Sequence, residues 1–549
     1  MTMGTASCTG LVGTRWHWWL VSLVVAGVAF SVRLAMVLRG GGLGGMFGYD
    51  DGVYFSAASS VSWGRLPYRD FVLLHPPGIV WALLPFAGLA RVTSDALGLE
   101  VARLAWMALG ALNAVLVVAA TRRLGVLAAA VAGMFYAVWN PGAGAETTTR
   151  LEPLLNLGVL AAVALLVGPG LARRPRVQVL AGAALGLALA TKIWAVVPVL
   201  LVLLWCWRGS GGRAARRVAL SSAAGVVALC LPFWLLAPRS MTRMVVLDQV
   251  GRPRSTVSVA DRLVAILGAP RSGNPATADP ATLAAAGWGP AAWTAALVLL
   301  GLMACALASR RSDRLGRLAV TLLVAQVGVL LVSPPFFGFY PAYVAPAMAL
   351  TVGTGVAGLA GLLRRTTRDR AVRRWPLAAR AAGVGVLGLA LLPLVAVDAA
   401  GRVGVALPAA GLRPLASTSR CVTSDRPDLL ILLDVLGRNL QRDCPTMVDV
   451  TGLTYDVEHS SDDASHVQRR HNTAWQHTLR SYLLSGGAAL LGRPGGDGLS
   501  PYTVRVLHGL PVLGQGDGYR LYAVPAQRRT TAPRVPEDRG PSLMALLAP

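Results

Sequence analysis

Two adjacent carboxylates stand out in the stretch YDDGVYFSAASSVSWGRLPYRDFVLLHPPG at residues 49–78, which lies between long apolar runs. Asp50 and Asp51 are followed in this stretch by three basic residues, Arg65, Arg69 and His75. Nearby cations keep at least one carboxylate ionised, whereas two adjacent acids raise each other's affinity for protons. A carboxylate in that balance suits general-base chemistry on a hydroxyl group. The alternative is a solvated pair of acids, or a cap for a helix over GVYFSAASSVSWG.

The composition of the chain predicts a polytopic membrane protein around this stretch. Of 549 residues, 54% are hydrophobic and only 14% are charged, which is typical of many membrane spans rather than of one large soluble core. The formal net charge of +25 could suggest nucleic-acid binding, but the arginines cluster in short loops between apolar runs. That distribution follows the positive-inside rule and places those loops in the cytoplasm. The sequence has no basic groove with interleaved aromatic residues, so nucleic acid is disfavoured as a partner.

The apolar runs predict an α-helical membrane domain with the N-terminus in the cytoplasm. We predict about 11 spans, at residues 16–38, 100–121, 125–140, 151–169, 177–191, 193–207, 217–237, 289–308, 318–334, 343–363 and 378–398. This order puts the segment 39–99, the loop 238–288 and the chain after 399 on the extracytoplasmic side. The first run is too long for a cleaved signal peptide and is expected to remain as an anchor.

The apolar segment 76–92 does not fit this alternation. Counting it as a span would reverse the orientation of every later loop, and the loop that follows it lacks an arginine cluster. We therefore predict a juxtamembrane helix in the first outer loop that lies against the outer leaflet or re-enters it. Pro76 and Pro77 would open this helix. An ordinary span is the competing interpretation.

The chain divides into a membrane domain, residues 1–398, and an extracytoplasmic soluble α/β or α+β domain, residues 399–549. Predicted strands at RCVTS, TMVDVTG and YRLYAVP alternate there with predicted helices over 427–440 and 467–484. The end of the chain from Gln527 is rich in Arg, Pro and Thr and is expected to be disordered.

Cysteine usage agrees with an extracytoplasmic tail, and histidine spacing argues against a metal site in it. Cys421 and Cys444 fall in the outer domain, where an oxidising compartment permits a disulfide; two free thiols are the alternative. The tail histidines lack the spacing that puts two ligands on one helical face, so we predict no metal site there: His459, His466, His471, His477 and His508.

The stretch at 49–78 resembles the first outer loop of the C-type integral-membrane glycosyltransferases, which include protein O-mannosyltransferases and the aminoarabinose transferases of lipid A. Those families place an acidic pair, often Asp-Glu, just after the first span, and a Lys/His-Pro-Pro sequence that opens a juxtamembrane helix. The matching residues are Asp50-Asp51, GRLPYRDF at 64–71 and His75-Pro76-Pro77, with weaker matches at TRLEPLLNL (149–157), GLALATKIW (186–194) and FGFYPAYVAPAMAL (337–350). The resemblance covers about residues 1–350. The Asp-Asp pair departs from Asp-Glu, and by position the base role carries to Asp50, with Asp51 assisting it.

The resemblance implies transfer of a sugar, with inversion, from a polyprenyl-phosphate donor to an acceptor hydroxyl on the extracytoplasmic face. The acceptor would be a glycan, a lipid or a protein, and mannose or arabinose is implied by similarity to actinobacterial cell-envelope enzymes. Cations must meet the charge that grows on the lipid monophosphate as it leaves. A divalent metal is possible but not required, because arginine or lysine can do this. Two rivals are a transporter or flippase of envelope lipids and a non-catalytic envelope scaffold.

Arg69, His75 and Lys192 are the residues that we expect to hold or balance the phosphate. Lys192 is the only lysine of the chain, and the family has a similar Thr-Lys position; a snorkelling interfacial residue is the alternative.

Three further residues are substrate-binding candidates on the outer side. Arg150 and Glu152, at the start of span 151–169, form either an ion pair that shapes the cavity or an interfacial pair without a role. Tyr340 is a candidate for stacking on a sugar, and anchoring in the aromatic belt is its alternative.

Overall fold

The computed structural model describes residues 10–168, 170, 174–252, 254–269, 289–309, 314–366, 403–407, 409–455, 469–492, 498–516 and 518–531. The helices up to residue 366 are α1 (Gly10–Leu38), α2 (Tyr49–Ser62), α3 (Gly78–Val92), α4 (Asp95–Thr121), α5 (Val126–Val138), α6 (Asn140–Ala145), α7 (Leu151–Val167), α8 (Pro175–Thr191), α9 (Val196–Ser210), α10 (Gly212–Leu236), α11 (Pro238–Thr242), α12 (Asp248–Val250), α13 (Val259–Ile266), α14 (Gly289–Ser309), α15 (Arg314–Val332) and α16 (Ala345–Thr366). Short 3-10 segments cover Ile193–Ala195 and Tyr340–Val344.

Six helical segments in the described residues are long and apolar enough to cross a membrane: Trp16–Leu38, Asp95–Leu124, Ile193–Ser210, Gly212–Leu236, Arg314–Val332 and Tyr340–Gly361. Five apolar helices are shorter: Gly78–Val92, Val126–Val138, Leu151–Val167, Pro175–Thr191 and Ala295–Ser309. Each predicted span up to residue 363 falls on one of these helices. The count of about eleven spans stays a prediction, and its last span, 378–398, lies outside the described residues.

The first outer loop folds into α2 and α3 joined by a compact turn. The two acids occupy the first turn of α2, where the helix dipole favours negative charge. In the turn, Tyr68 has a φ of +69° and its hydroxyl donates to the carbonyl oxygen of His75 at 2.6 Å. Pro77 caps the start of α3, which is 15 residues long and packs on α2 and α4. At about 1.5 Å per residue, α3 is shorter than the roughly 30 Å hydrocarbon core.

The tail contains a four-stranded mixed sheet with the order β1-β2-β4-β3. Its strands are β1 (Val422–Ser424), β2 (Ala488–Leu491), β3 (Val512–Gly516) and β4 (Tyr519–Ala523), and its helices are α17 (Ala409–Thr418), α18 (Pro427–Leu432), α19 (Leu436–Gln441), α20 (Thr473–Leu483) and α21 (Pro501–His508). β1 pairs with β2 in parallel, and the other pairings are antiparallel. Cys421 and Cys444 form a disulfide with their Cα atoms 5.7 Å apart.

The structure differs from two of the predictions for this tail. The segment TMVDVTG is irregular and leads into a 3-10 turn at Gly452–Tyr455 instead of a strand, because its backbone bonds with its own side chains, as in the bond from the Gly452 amide to Asp449. The predicted helix 427–440 is broken between α18 and α19 at Asp434, whose φ is +57°. Most of the stretch after Gln527 lies outside the described residues.

The outer loop and the tail share one hydrophobic core. Phe55 of α2 and Leu99 of α4 belong to the same buried cluster as Leu430 and Leu436 of the tail. At Gly52 of α2 an added Cβ would lie 2.4 Å from the backbone nitrogen of Asp428, so the two parts are in backbone contact there. The tail therefore reaches the first turns of α2, where the acidic pair lies.

Candidate active site

Asp50 lies on the first turn of α2, in a cluster of charged side chains with Arg150, Glu152, Lys192 and Asp449 that is here called the pocket. Its Oδ2 is 3.5 Å from NH1 of Arg150, and a third of its side chain, 33%, is accessible. Withdrawal from bulk water raises the pKa of Asp50; the Arg150 charge opposes this, and the charges of Asp449 and Glu152 add to it. The predicted base is therefore reachable by a small molecule and has more affinity for a proton than an ordinary aspartate.

Asp51, one residue further, has a different environment and is fully buried. Its Oδ2 accepts from Nε and NH2 of Arg103 at 2.9 and 2.5 Å, and its Oδ1 accepts from the amide and hydroxyl of Thr149 at 2.9 and 2.7 Å. Burial opposes ionisation, but the Arg103 charge and the Thr149 hydrogen bonds together outweigh it and lower the pKa of Asp51. With both oxygens engaged, Asp51 acts as a structural anion. Its predicted role beside the base is not supported by its position.

The segment between α6 and α7 carries one partner of each aspartate. Thr149 binds Asp51, and Arg150 pairs with Asp50. At its start, Glu146 forms a buried ion pair with Arg33 of α1. Just after the segment, Glu152 in the first turn of α7 pairs with Lys192. The alternative in which Arg150 and Glu152 pair with each other is therefore wrong, because each has another partner across the pocket.

Lys192 is buried at the junction of α8 and the following 3-10 segment. Its Nζ lies 2.5 Å from Oε1 of Glu152 and only 3% of the side chain is accessible. The ammonium also lies 4.1 Å from the ring centre of Trp194 and 4.4 Å from that of Tyr340, within cation–π range. Snorkelling to the interface is excluded for Lys192, and an aromatic-belt position is excluded for Tyr340, which is itself buried.

Arg150 makes its own cation–π contact, with Phe339. Its guanidinium carbon lies 3.7 Å from the ring centre of Phe339, and its Nε donates to the hydroxyl of Thr148 at 3.0 Å. Its backbone oxygen accepts from the indole of Trp106 at 2.9 Å. The cation beside Asp50 is therefore fixed in position by packing as well as by charge.

His75 belongs to the same cluster, but as a neutral ring. Burial and the nearby charges of Arg252 and Lys192 hold the pKa of His75 well below its usual value. Its Nδ1 is buried without a hydrogen-bond partner among the described residues, and its ring lies 6.0 Å from that of Tyr54. His75 can therefore donate or accept a hydrogen bond, but it does not supply the predicted positive charge.

Arg69 is not part of this cluster. Its guanidinium makes two 2.8 Å hydrogen bonds with the carboxylate of its neighbour Asp70, and the pair is a quarter exposed. Within the described part of the chain, its ion pair with Asp70 is its only one. The prediction that Arg69 binds the phosphate is therefore not supported by its position, because its charge is used in the turn that precedes α3.

The tail contributes an acid to the pocket. The hydroxyl of Tyr49 donates to Oδ1 of Asp449 at 3.1 Å and accepts from the amide of Thr451 at 2.9 Å. Burial raises the pKa of Asp449, and the positive charges of Arg252 and Arg469 oppose that rise. The residue just before the predicted base is thus bonded directly to the tail.

Sequence reasoning missed Arg103, Arg252 and Asp449. Arg103 had a usable signal, because a lone ionised residue in an apolar helix is costly without a buried partner. Asp449 had none, since only the tertiary fold brings residue 449 to residue 49. Among the described residues, no group of three or more His, Cys, Asp or Glu is placed to hold a metal ion, and His459 and His466 lie outside them.

Comparison with known proteins gives a consistent assignment. Residues 73–334, a little under half of the chain, match the family model of Glycosyltransferase family 87. The structure is similar to that of ArnT from Cupriavidus metallidurans bound to undecaprenyl phosphate, with 17% sequence identity, a TM-score of 0.51, and coverage of 96% of this chain and 100% of that one. It is also similar to the archaeal oligosaccharyltransferase AglB from Archaeoglobus fulgidus in complex with an inhibitory peptide and a dolichol-phosphate, with 11% identity, a TM-score of 0.55, and coverage of 87% and 69%. The comparison with curated protein sequences gives no match.

The chain is thus a glycosyltransferase, and its fold is that of the C-type membrane enzymes. Together with the apolar helices, this makes it a multi-pass membrane protein. The resemblance predicted from Asp50-Asp51 and His75-Pro76-Pro77 is confirmed at this level. The sugar, the source among actinobacteria and the orientation of the termini stay predictions.

Proposed function

We propose that this glycosyltransferase takes a sugar from a polyprenyl-phosphate donor and transfers it, with inversion, to an acceptor hydroxyl on the extracytoplasmic face. Mannose and arabinose are the sugars that we favour, and the acceptor is a glycan, a lipid or a protein. The support for a lipid donor is the likeness to ArnT bound to undecaprenyl phosphate and to AglB with a dolichol-phosphate. The support for the chemistry is the pocket around Asp50.

The single observation that carries the proposal is the pairing of Asp50 with Arg150 in an accessible position. In the reaction, Asp50 takes the proton of the acceptor hydroxyl while the acceptor oxygen attacks the anomeric carbon. The bond from that carbon to the phosphate oxygen breaks, and polyprenyl phosphate leaves with its negative charge. A raised pKa of Asp50 suits this role, because a more basic carboxylate is a better proton acceptor at neutral pH.

Proton transfer to Asp50 also makes the charge of Arg150 available as the leaving phosphate becomes more negative. Before the reaction, the charge of Arg150 is balanced by the Asp50 carboxylate 3.5 Å away. Once that carboxylate is protonated, the positive charge of Arg150 becomes available to the phosphate on which negative charge is growing. A fixed cation aimed at developing charge is the most effective form of electrostatic stabilisation.

Lys192, Glu152, Tyr340 and His75 complete the donor side of the proposal. Lys192 adds positive charge near the phosphate, Glu152 holds the Lys192 ammonium in place, and the ring of Tyr340 gives the sugar an apolar face. The neutral His75 offers a hydrogen bond to the donor from the loop before α3. Because Arg150 and Lys192 provide positive charge, no step of the proposal is routed through a metal.

Complementation of a gene-deleted strain tests the proposal. Cells carrying the wild-type protein, Asp50→Asn or the control Asp443→Asn would be compared by mass spectrometry of envelope glycans and lipid-linked sugars. Asp443 is 97% exposed and pairs with Arg65 away from the pocket, so its loss leaves the chemistry intact. We expect the sugar addition in cells that carry the wild-type protein or Asp443→Asn. We expect it to be absent from cells that carry Asp50→Asn at an equal protein level.

Equal glycans in wild-type and Asp50→Asn cells would contradict the proposal and favour a non-catalytic scaffold. Loss of a lipid-linked sugar from the outer leaflet, with no glycan change, would favour a flippase. The two rivals are thus separated from the enzyme by the same samples.

A further inference from the structure

The carboxylate of Asp449 lies in the pocket although it belongs to the tail. Tyr49 precedes Asp50, and its hydroxyl bridges Oδ1 of Asp449 and the amide of Thr451. The negative charge of Asp449 acts on Asp50 and also on Tyr54, whose other charged neighbours are Asp50 and Glu152. Asp449 is therefore one of the charged groups around the base.

The hydrogen bonds of Asp449 are unevenly divided between its two oxygens. Oδ1 accepts from the hydroxyl of Tyr49 at 3.1 Å, from the amide of Gly452 at 2.7 Å and from the hydroxyl of Thr451 at 3.4 Å. All the hydrogen bonds that the described residues make to this carboxylate fall on Oδ1, and the side chain is only partly buried. Oδ2 is left able to accept a hydrogen bond from a bound molecule.

The loop that carries Asp449 is built around this carboxylate. A Cβ added at Gly452 would lie 2.2 Å from Oδ2 and 3.0 Å from Oδ1, so a side chain at residue 452 would displace the carboxylate from this position. The indole of Trp475 donates to the backbone oxygen of Val450 at 2.8 Å and ties the loop to α20. The carboxylate is thus held by its own turn, by the tail core and by Tyr49.

Asp449 is set apart from the other groups of the pocket by its negative charge. The Arg252 charge acts on His75 and Lys192 and also on Asp449. Asp449 adds a second negative group beside Asp50 and repels a phosphate. A neutral hydroxyl group can instead donate a charge-assisted hydrogen bond to the carboxylate.

We propose that Asp449 is a substrate-binding residue which accepts a hydrogen bond through Oδ2 from a hydroxyl of the acceptor and so holds the acceptor against Asp50. Tyr49 is the positioning residue that fixes Asp449. The inference rests on the proposed function and deepens it, because it assigns the acceptor side of the pocket to the tail.

The test uses Asp449→Asn in the full-length protein. Asparagine keeps an Oδ1 acceptor for Tyr49 and Gly452 but replaces Oδ2 with an amide group that cannot accept. Asp449→Glu restores a second acceptor oxygen, and Gly452→Ala displaces the Asp449 carboxylate without changing its chemistry. Asp443→Asn is the control, because it removes a different contact between the tail and the outer loop, the ion pair with Arg65 outside the pocket. Glycan product would be measured in complemented cells, and thermal unfolding would be measured in detergent with and without undecaprenyl phosphate.

We expect Asp449→Asn and Gly452→Ala to lower product at least tenfold and Asp449→Glu to recover part of it. The increase in unfolding temperature on adding undecaprenyl phosphate should stay unchanged in all of these variants. Full product in Asp449→Asn would overturn the inference. So would a joint loss of product and of the undecaprenyl phosphate effect, because that result assigns Asp449 a purely structural role.

The wild-type arm separates failure of this inference from failure of the proposed function. Absence of any sugar product in cells with the wild-type protein, or an unfolding temperature that undecaprenyl phosphate does not change, would count against the lipid-phosphate donor itself. The other case is a wild type that makes the sugar product and is stabilised by undecaprenyl phosphate, while Asp449→Asn makes as much product as the wild type. That result would support the proposed function and contradict only the role of Asp449.

Discussion

Two neighbouring aspartates acquire opposite properties because adjacent residues on a helix point in different directions. Asp51 turns into the protein, where Arg103 and Thr149 satisfy it, whereas Asp50 stays at the accessible edge. The sequence predicted that one of the two would be a base and that Asp50 was the better candidate. It could not predict the difference in environment, because Arg103 and Thr149 are 52 and 98 residues away.

Stability measurements should separate the two aspartates. Asp51→Asn leaves the buried charge of Arg103 without a counter-charge, so the free energy of unfolding should fall by about 3 kcal/mol. Asp50→Asn removes a partly accessible pair and should cost under about 1 kcal/mol. Denaturant or thermal unfolding in detergent measures both. Equal losses would show that the two carboxylates share one environment, contrary to the geometry.

The pH dependence of transfer should report the charges around Asp50. The base acts only when ionised, so the rate should fall as the pH falls through its pKa, and a raised pKa puts this fall above pH 3.8. Arg150→Met removes the cation that lowers the pKa and should move the fall to higher pH. Asp449→Asn removes a charge that raises it and should move the fall to lower pH. Shifts of the same sign in both variants, in profiles of log kcat/KM, would refute this electrostatic account.

At the scale of elements, the pocket depends on close helix contacts that set the position of Lys192. Gly78 begins α3, and a Cβ there would lie 2.5 Å from the backbone oxygen of Ala190 and 2.9 Å from the hydroxyl of Thr191. The end of α8 and the loop that carries His75 therefore meet without room for a side chain. The apolar runs predicted where these helices lie, but a contact of this kind depends on how two helices pack.

Gly78→Ala should separate α3 from α8 and lower the transfer rate, because His75 and Lys192 lie on either side of that contact. The matched control is Gly88→Ala on the same helix, where nothing lies within 4 Å of the added Cβ. That change should preserve the rate and stabilise the protein by up to about 1 kcal/mol through helix propensity. Transfer rates would be measured in membranes with matched protein levels. Equal rates for Gly78→Ala and Gly88→Ala would contradict a role of the contact between α3 and α8 in the pocket.

Elements of the tail were harder to predict than the membrane helices. β1 and β4 fall where RCVTS and YRLYAVP predicted strands, and α20 lies within the predicted helix 467–484. β2, with the sequence AALL, and β3, with VLGQG, were missed. Alanine, leucine and glycine carry little strand preference, and these strands form because the neighbouring strand supplies their hydrogen bonds.

At the scale of the whole molecule, the site is assembled from parts that lie far apart in the sequence. The outer loop supplies Asp50 and His75, the segment after α6 supplies Arg150, the junction after α8 supplies Lys192, and the tail supplies Asp449. At residue 399 the sequence changes from long apolar runs to alternating strand and helix patterns. One hydrophobic core nevertheless includes residues from both sides of this boundary. Burial of Phe55 and Leu430 in one cluster explains why the tail can reach the base.

The orientation of this assembly follows from the short helix α3. If α3 lies along the outer leaflet, the arginine-rich loop after α4 is cytoplasmic and the pocket faces outside. A reporter fused after residue 124 should then give a cytoplasmic signal. An extracytoplasmic signal there would make α3 a span and would reverse the predicted orientation of every later loop.

The most direct test of the central claim is a transfer assay with purified full-length protein. Labelled polyprenyl-phosphate-mannose and polyprenyl-phosphate-arabinose would be offered separately, with membranes from the gene-deleted strain as the acceptor source. The wild type should transfer label from one donor and release polyprenyl phosphate, whereas Asp50→Asn should be slower by about 100-fold or more while undecaprenyl phosphate still stabilises it against unfolding. Transfer by Asp50→Asn at the wild-type rate would contradict the assignment of this carboxylate as the base.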